Sequence, residues 1–142
     1  MNKHNAVFWL RVSFWIGAVI DFIAAIAMLF PKFTQIFLGF EPIPDPAYRF
    51  AMGLGTALML GWTTLLLWAD QDPMARTGVL LITVIPVIFG LVGTEIYAVA
   101  SGFIPLGKMF PTWALQILLI SLFSASYLKA VRYERKDLHS DY

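Results

Sequence analysis

The chain contains no cysteine. Disulfides, thiolate catalysis and Cys-ligated metals are therefore excluded, and redox chemistry gives no clue to compartment. Histidine is almost as scarce. His4 and His139 stand near the two ends, outside every apolar run, so no haem or metal held by helix-borne imidazoles is expected and no cofactor is called for. Charge is scarce too: 13% of the residues are charged, against ~25% in a soluble domain, and a net charge of +1 gives no reason to expect a nucleic-acid partner. Enzyme signatures are missing as well, with no nucleophile elbow, phosphate loop, metal-ligand spacing or dithiol. The sequence reads as a non-enzyme, the residual catalytic reading being an isomerase or lyase that uses Asp21 and Glu95 as acid and base.

What the chain has in abundance is apolar surface. Of its 142 residues 59% are hydrophobic, and the mean hydropathy is +0.74. A soluble domain this small could not hide so much, because its surface is too large for its volume. A bilayer core of about 30 Å takes about 20 apolar residues per helix. Four such runs are present, from Val7 to Phe30, Phe50 to Ala69, Thr77 to Ala100 and Thr112 to Leu128. Among all Asp, Glu, Lys and Arg residues only Arg11, Asp21 and Glu95 fall inside them. The first run has some features of a secretory signal, with Lys3 ahead of it and Ala25-Ile26-Ala27 as a small-x-small site. It is longer than an h-region of about 7 to 15 residues, however, and Arg11 and Asp21 interrupt it, so it is read as a retained span.

Lys and Arg near the helix ends set orientation, since cytoplasmic segments carry the excess. Lys3, Arg11, Arg76, Lys129, Arg132, Arg135 and Lys136 fall on one side; Lys32, Arg49 and Lys108 fall on the other. The imbalance puts both termini in the cytoplasm, in a multi-pass protein of the cell membrane whose first partner is the lipid bilayer. Aromatics sit where interfaces are expected: Trp9, Trp68 and Tyr133 inside, Tyr48, Tyr97 and Trp113 outside. Trp15 and Trp62 lie deeper and are read as packing between helices or facing lipid.

Prolines punctuate the helix ends. Asp45-Pro46 and Asp72-Pro73 read as N-cap and first residue of the second and third spans, Pro111 opens the fourth, and Pro31 closes the first. Between the first two spans Phe33, Ile36, Phe37 and Phe40 mark one face of a short helix, too short to cross and suited to lie in the outer interface. Glu41-Pro-Ile-Pro-Asp-Pro46 then predicts a stiff outer loop, and the tail from Arg132 reads as short, charged and frayed. The fold expected is an all-α integral membrane antiparallel four-helix bundle. It forms a single domain over residues 1–142, with helices about 7–30, 46–69, 73–100 and 111–131 and an interfacial helix about 32–39.

Helices in lipid associate through small residues and a few polar contacts. Gly53, Ala57 and Gly61 on the second span, Gly17, Asp21 and Ala25 on the first, and Gly90 and Gly93 on the third are the packing candidates, with Pro86 bending the third. Asp21 is the most informative residue. A carboxylate near mid-span costs about 2.5–3.5 kcal/mol on insertion scales, so it should face the bundle and have a partner or a role. Counted at 1.5 Å per residue, Asp21 lies ~20 Å from the inner end, level with Thr56 and Gln116, and Glu95 lies ~27 Å in, level with Arg49. The expected site is a polar cluster in the outer half, with Asp21 bonded to Thr56 or Gln116 and Glu95 paired with Arg49. Arg11, one turn in, is expected to snorkel to the phosphates. Ser121 and Ser124 are expected to back-bond to their own helix.

The plan resembles the small four-helix membrane proteins grouped as DoxX-like. The residues that carry the likeness are Met28-Leu-Phe-Pro31 at the end of the first helix, the stretch from Gly53-Leu-Gly-Thr-Ala-Leu-Met-Leu-Gly-Trp62 into Leu67-Trp-Ala-Asp70, and the short Asp-Pro turn before the third. The resemblance implies a four-helix bundle, and some members are linked to quinone-level redox complexes. Three functions fit the residues. One is a membrane-embedded binding protein whose outer-half cavity, lined by Asp21, Thr56, Glu95 and Gln116, holds a lipid or a small amphiphile. Another is a small oligomeric transporter or channel using the carboxylates as an ion or proton path. The third is an accessory subunit of a larger membrane complex.

Overall fold

The computed structural model describes residues 3–38 and 45–140, all helix and turn. Four helices are long and apolar enough to cross a membrane. The first is α1 (Lys3–Leu29), followed at once by the short α2 (Pro31–Leu38). The second is α3 (Pro46–Asp70). The third runs unbroken from Gly78 to Ala100 as α4 (Gly78–Ile82), a π-helical turn (Thr83–Ile88) and α5 (Phe89–Ala100). The fourth is α6 (Leu106–Ser140).

Local chemistry accounts for most of these boundaries. Asp45 sits in an extended conformation and accepts a hydrogen bond from the Ala47 amide at 3.3 Å, with Pro46 in the first helical position, where a missing N–H costs nothing. The π turn holds Pro86, which cannot donate to the carbonyl one turn back; the widened ring accommodates that lost bond. At the end of α5, Gly102 takes φ +74°, and the amides of Gly102 and Phe103 reach back to the carbonyls of Val99 and Ala98 at 3.0 Å each. This is a Schellman ending, and a glycine supplies its left-handed residue without a Cβ penalty.

Two proline readings need correction. Asp72 does accept the Ala75 amide at 3.5 Å and the Arg76 amide through its carbonyl at 3.1 Å, but the turn it starts is tightened by three-residue bonds from Val79 to Arg76 and from Leu80 to Thr77. Regular helix therefore begins at Gly78 and not at Pro73. Pro111 lies inside α6, not at its start, because Pro105 precedes the first turn and Pro111 forfeits only the bond to the Gly107 carbonyl. At its other end α6 continues through the charged tail to Ser140 in place of the expected fraying, since Glu, Arg and Lys are good helix formers. The proline-rich stretch expected as a stiff outer loop falls mostly at 39–44, outside the described residues.

The first half of α1 lies against the far end of α3 and the far end of α6, while its second half lies against their beginnings. Trp15 meets Asp70 and Ala25 meets Thr56 across the α1–α3 seam; Ser13 meets Ser126 across the α1–α6 seam. The third span packs on α6 and touches α3 where the Trp62 indole N–H donates to the Thr83 hydroxyl at 3.2 Å. The core is a column of Leu10, Phe14, Ala18, Leu66, Leu80, Val84, Leu119 and Phe123. Outside it, Phe22, Leu54, Leu58, Ile85, Phe89, Ile96, Ile117 and Leu118 are exposed on all sides. Apolar surface this continuous is foreign to a soluble monomer and matches lipid.

The glycines that pack closely are fewer than their spacing predicts. A Cβ on Gly17 would stand 3.0 Å from both Leu66 Cδ1 and Phe123 Cζ, and one on Gly55 3.1 Å from Met28 Sδ. Gly53, Gly61, Gly90 and Gly93 have nothing within 4 Å, so the Gly53–Ala57–Gly61 row faces outward. Thr56, Thr63, Leu66 and Ala69, on the opposite side of α3, are the residues it buries.

The α1–α6 seam is pinned by a small polar lock. Ser13 Oγ and Ser126 Oγ lie 2.8 Å apart, and each also reaches the Trp9 carbonyl, at 2.9 and 3.3 Å. Both serines are fully buried. A double-mutant cycle with Ser13→Ala and Ser126→Ala is expected to give a coupling of about 0.6 kcal/mol, the usual value for such pairs in membranes, and no coupling would mean the bond is not held.

Candidate functional site

The polar groups inside the helices form separate stations, not one cluster. At the end of the molecule that holds the α3–α4 turn, Asp70 accepts from the Trp15 indole at 3.1 Å and faces Arg11 Nε at 3.8 Å. Arg11 thus has a carboxylate partner within the protein, which its expected snorkelling does not include. Beside this group the Arg76 guanidinium stacks 3.6 Å above the Trp68 ring and donates to the Trp68 carbonyl, and Lys129 Nζ lies 4.1 Å from the centre of Trp9. Three cations therefore share one level with three tryptophans, the arrangement of an interfacial belt. Sequence reasoning misses Asp70 as a polar partner, since it stands at the end of an apolar run; the signal for it is an acid four residues past Leu66 on the buried face.

Midway along α1, Asp21 lies on the stripe that packs inward, between Gly17, which touches Leu66 and Phe123, and Ala25, whose carbonyl faces the Thr56 hydroxyl at 3.4 Å. It is half-buried there. Among the described residues it makes no hydrogen bond and no ion pair, so the expected bond to Thr56 or Gln116 is not formed. Thr56 instead donates to the Met52 carbonyl of its own helix at 2.8 Å, a back-bond that a threonine inside a helix makes readily. Ser121 does the same toward Ile117 at 2.8 Å.

Near the other end, Gln116 on α6 gives its amide nitrogen to Glu95 Oε1 on α5 at 2.9 Å. Gln116 is 6% exposed, and its oxygen is buried with no partner. Glu95 Oε2 and the Trp113 indole nitrogen are likewise buried without a hydrogen bond, although the indole lies within interaction range of the same carboxylate. The expected Glu95–Arg49 pair is absent among the described residues. Arg49 is exposed at the start of α3, which has no extensive contact with α5, so no ion pair forms between them.

No protein-family model, curated protein or solved structure matches the chain.

A hollow opens on the turn of α6 that carries Gln116. It is a groove of about 440 Å³ between the second half of α1 and the beginning of α6, lined by Ile20, Ile23, Ala24, Ala27, Met28, Pro111, Thr112 and Leu115. The volume falls in the range of small-molecule sites, about 300–1,000 Å³. Asp21, Thr56, Glu95 and Gln116 do not line it, in contrast to the cavity their depths suggest: Thr56 is turned into the α1–α3 seam and Gln116 toward α5. Alanines at 24 and 27 open the space, where longer side chains would close it. A smaller hollow of about 220 Å³ lies between the third span and α6 near Leu80, Val84, Phe123 and Tyr127.

Proposed function

We propose that the chain is a multi-pass integral membrane protein, an antiparallel four-helix bundle with both termini on the cytoplasmic side, which binds a lipid or small amphiphile between α1 and α6. The groove over Ala24 and Ala27 carries this reading: it is apolar, ligand-sized and bordered on α6 by a turn that also bears the buried Gln116. An apolar hollow with a few polar groups at its edge is the usual form of a small-molecule site. The placement of the termini rests on the excess of Lys and Arg at the end that holds Arg11, Arg76 and Lys129.

A second reading, an ion or proton path, is favoured by one observation, the half-buried Asp21 with no partner among the described residues. The outward row of Gly53, Ala57 and Gly61 would suit assembly with a second copy or with a larger complex.

Native mass spectrometry of the detergent-purified protein separates these readings. The wild type is expected to retain an amphiphile of defined mass, and Ala24→Trp, which fills the groove, is expected to release it while staying folded. Equal retention by both proteins, or none by the wild type, would reject the binding reading.

A further inference from the structure

We infer that Glu95, Gln116 and Trp113 form the head-group end of this site and that it takes a primary ammonium, the inference resting on the amphiphile-binding reading. Gln116 is more than nine-tenths buried, its nitrogen is spent on Glu95 Oε1, and its oxygen is left without a donor. Glu95 Oε2 is a second buried acceptor without a donor, and Glu95 has no Lys or Arg partner among the described residues. Native proteins rarely leave buried polar atoms unmade; with the Trp113 indole in reach of the Glu95 carboxylate, what remains here is the Gln116 oxygen beside a carboxylate that has no cation among the described residues. A free acceptor and a carboxylate side by side ask for a donor that is positively charged and has at least two N–H bonds to give. A primary ammonium has three. The Trp113 ring adds an aromatic face of the kind that attracts a cation, with its indole N–H within reach of the Glu95 carboxylate.

Position agrees with chemistry. At 100° per residue Thr112 and Leu115 point one way from α6 and Trp113 and Gln116 point to the adjacent side, within the same turn. The turn of α6 that borders the groove over Ala24 and Ala27 thus also carries the two residues that reach Glu95. A quaternary ammonium carries the same charge but has no N–H to donate, and this is what distinguishes the inference from simple charge attraction.

The test titrates the detergent-purified protein with dodecylamine and with dodecyltrimethylammonium and reads single-adduct occupancy by native mass spectrometry. The wild type is expected to take dodecylamine at least tenfold more tightly than the trimethylated compound. Glu95→Gln and, independently, Gln116→Met are each expected to erase that preference, and Ala24→Trp to abolish both adducts. Equal binding of the two compounds by the wild type, unchanged in Glu95→Gln and in Gln116→Met but lost in Ala24→Trp, would overturn the ammonium site and leave the groove standing. No adduct of either compound on the wild type would overturn both. If Glu95→Gln does not fold, Gln116→Met decides by the same criterion.

Discussion

Gly17→Leu is expected to lower the unfolding midpoint of the bundle more than any other single change to a glycine. The position is the point where three helices meet: even one added carbon would stand 3.0 Å from Leu66 Cδ1 on α3 and from Phe123 Cζ on α6. Both neighbours are at most 1% exposed; Phe123 borders the smaller hollow and can yield toward it, whereas Leu66 is held in the α1–α3 seam. Overpacking a filled core costs about 1–3 kcal/mol, and a leucine here would push α1 away from two partners together. Gly61→Leu is the control. Nothing lies within 4 Å of a Cβ at that position, so stability is expected to remain near wild type. Thermal unfolding of both variants in the same detergent measures the difference. If Gly61→Leu were the damaging change, the rotation that turns Gly17 inward and Gly61 outward would be wrong. If Gly61→Leu altered the assembly state without altering stability, the outward small-residue row would be an interface.

Asp21→Leu is expected to stabilise the protein, which is the reverse of what a structural hydrogen bond at mid-span would give. The carboxylate lies half-buried beside the core column with no hydrogen bond or ion pair among the described residues. Removing it relieves a cost whose upper bound is about 2.5–3.5 kcal/mol and breaks nothing in return. Greater stability together with a change in amphiphile or ion handling is the signature expected if the carboxylate has the proposed functional role. Reversible unfolding of the wild type, Asp21→Asn and Asp21→Leu measures it. A loss of more than about 1 kcal/mol in Asp21→Asn would show that the acid has a partner, since the amide keeps the shape but removes the charge and turns one acceptor oxygen into a donor.

Much of the architecture can be read from the residues alone, and the reason is the solvent. In lipid every backbone group must be satisfied within its own helix, so an apolar run of the right length has one available structure. Capping chemistry places the start of α3 at Asp45-Pro46 because acid and imino acid both act locally. The same Asp-Pro signature at Asp72 gives only a turn, because bonds between near neighbours, from Val79 to Arg76 and from Leu80 to Thr77, tighten the chain in a way that composition does not report. Proline fixes φ and removes a donor, but it does not say whether it stands at position one or position six of a helix, and Pro111 takes the latter.

The site is less legible, because depth along a helix can be counted while rotation about it cannot. Asp21, Thr56 and Gln116 are expected together since they lie at similar depths. A rotation of about 100° between adjacent residues is enough to send Thr56 into the α1–α3 seam and Gln116 to Glu95. Four-residue spacing of small residues has the same weakness. Gly53-Ala57-Gly61 and Thr56-Thr63 lie on adjacent faces of one helix, roughly 110° apart, and the polar face is the one that is buried. Threonine can close its own hydrogen bond to the preceding turn, as Thr56 and Thr63 both do, and so packs in a seam as a small apolar residue. The groove has no sequence signal of its own. It results from Ala24 and Ala27 on α1 meeting Pro111 and Thr112 on α6, pairs that only the fold brings together.

The most direct test of amphiphile binding is photo-crosslinking in phosphatidylcholine vesicles, with a dodecyl amphiphile that carries a diazirine on its chain, followed by peptide mapping. The groove predicts label concentrated on Ile20 to Met28 of α1 and Pro111 to Leu115 of α6, and its disappearance in Ala24→Trp. Label spread evenly over lipid-facing residues such as Leu54, Leu58, Ile85 and Phe89, and unchanged in Ala24→Trp, would show that the protein meets amphiphiles only as solvent and would contradict the binding reading.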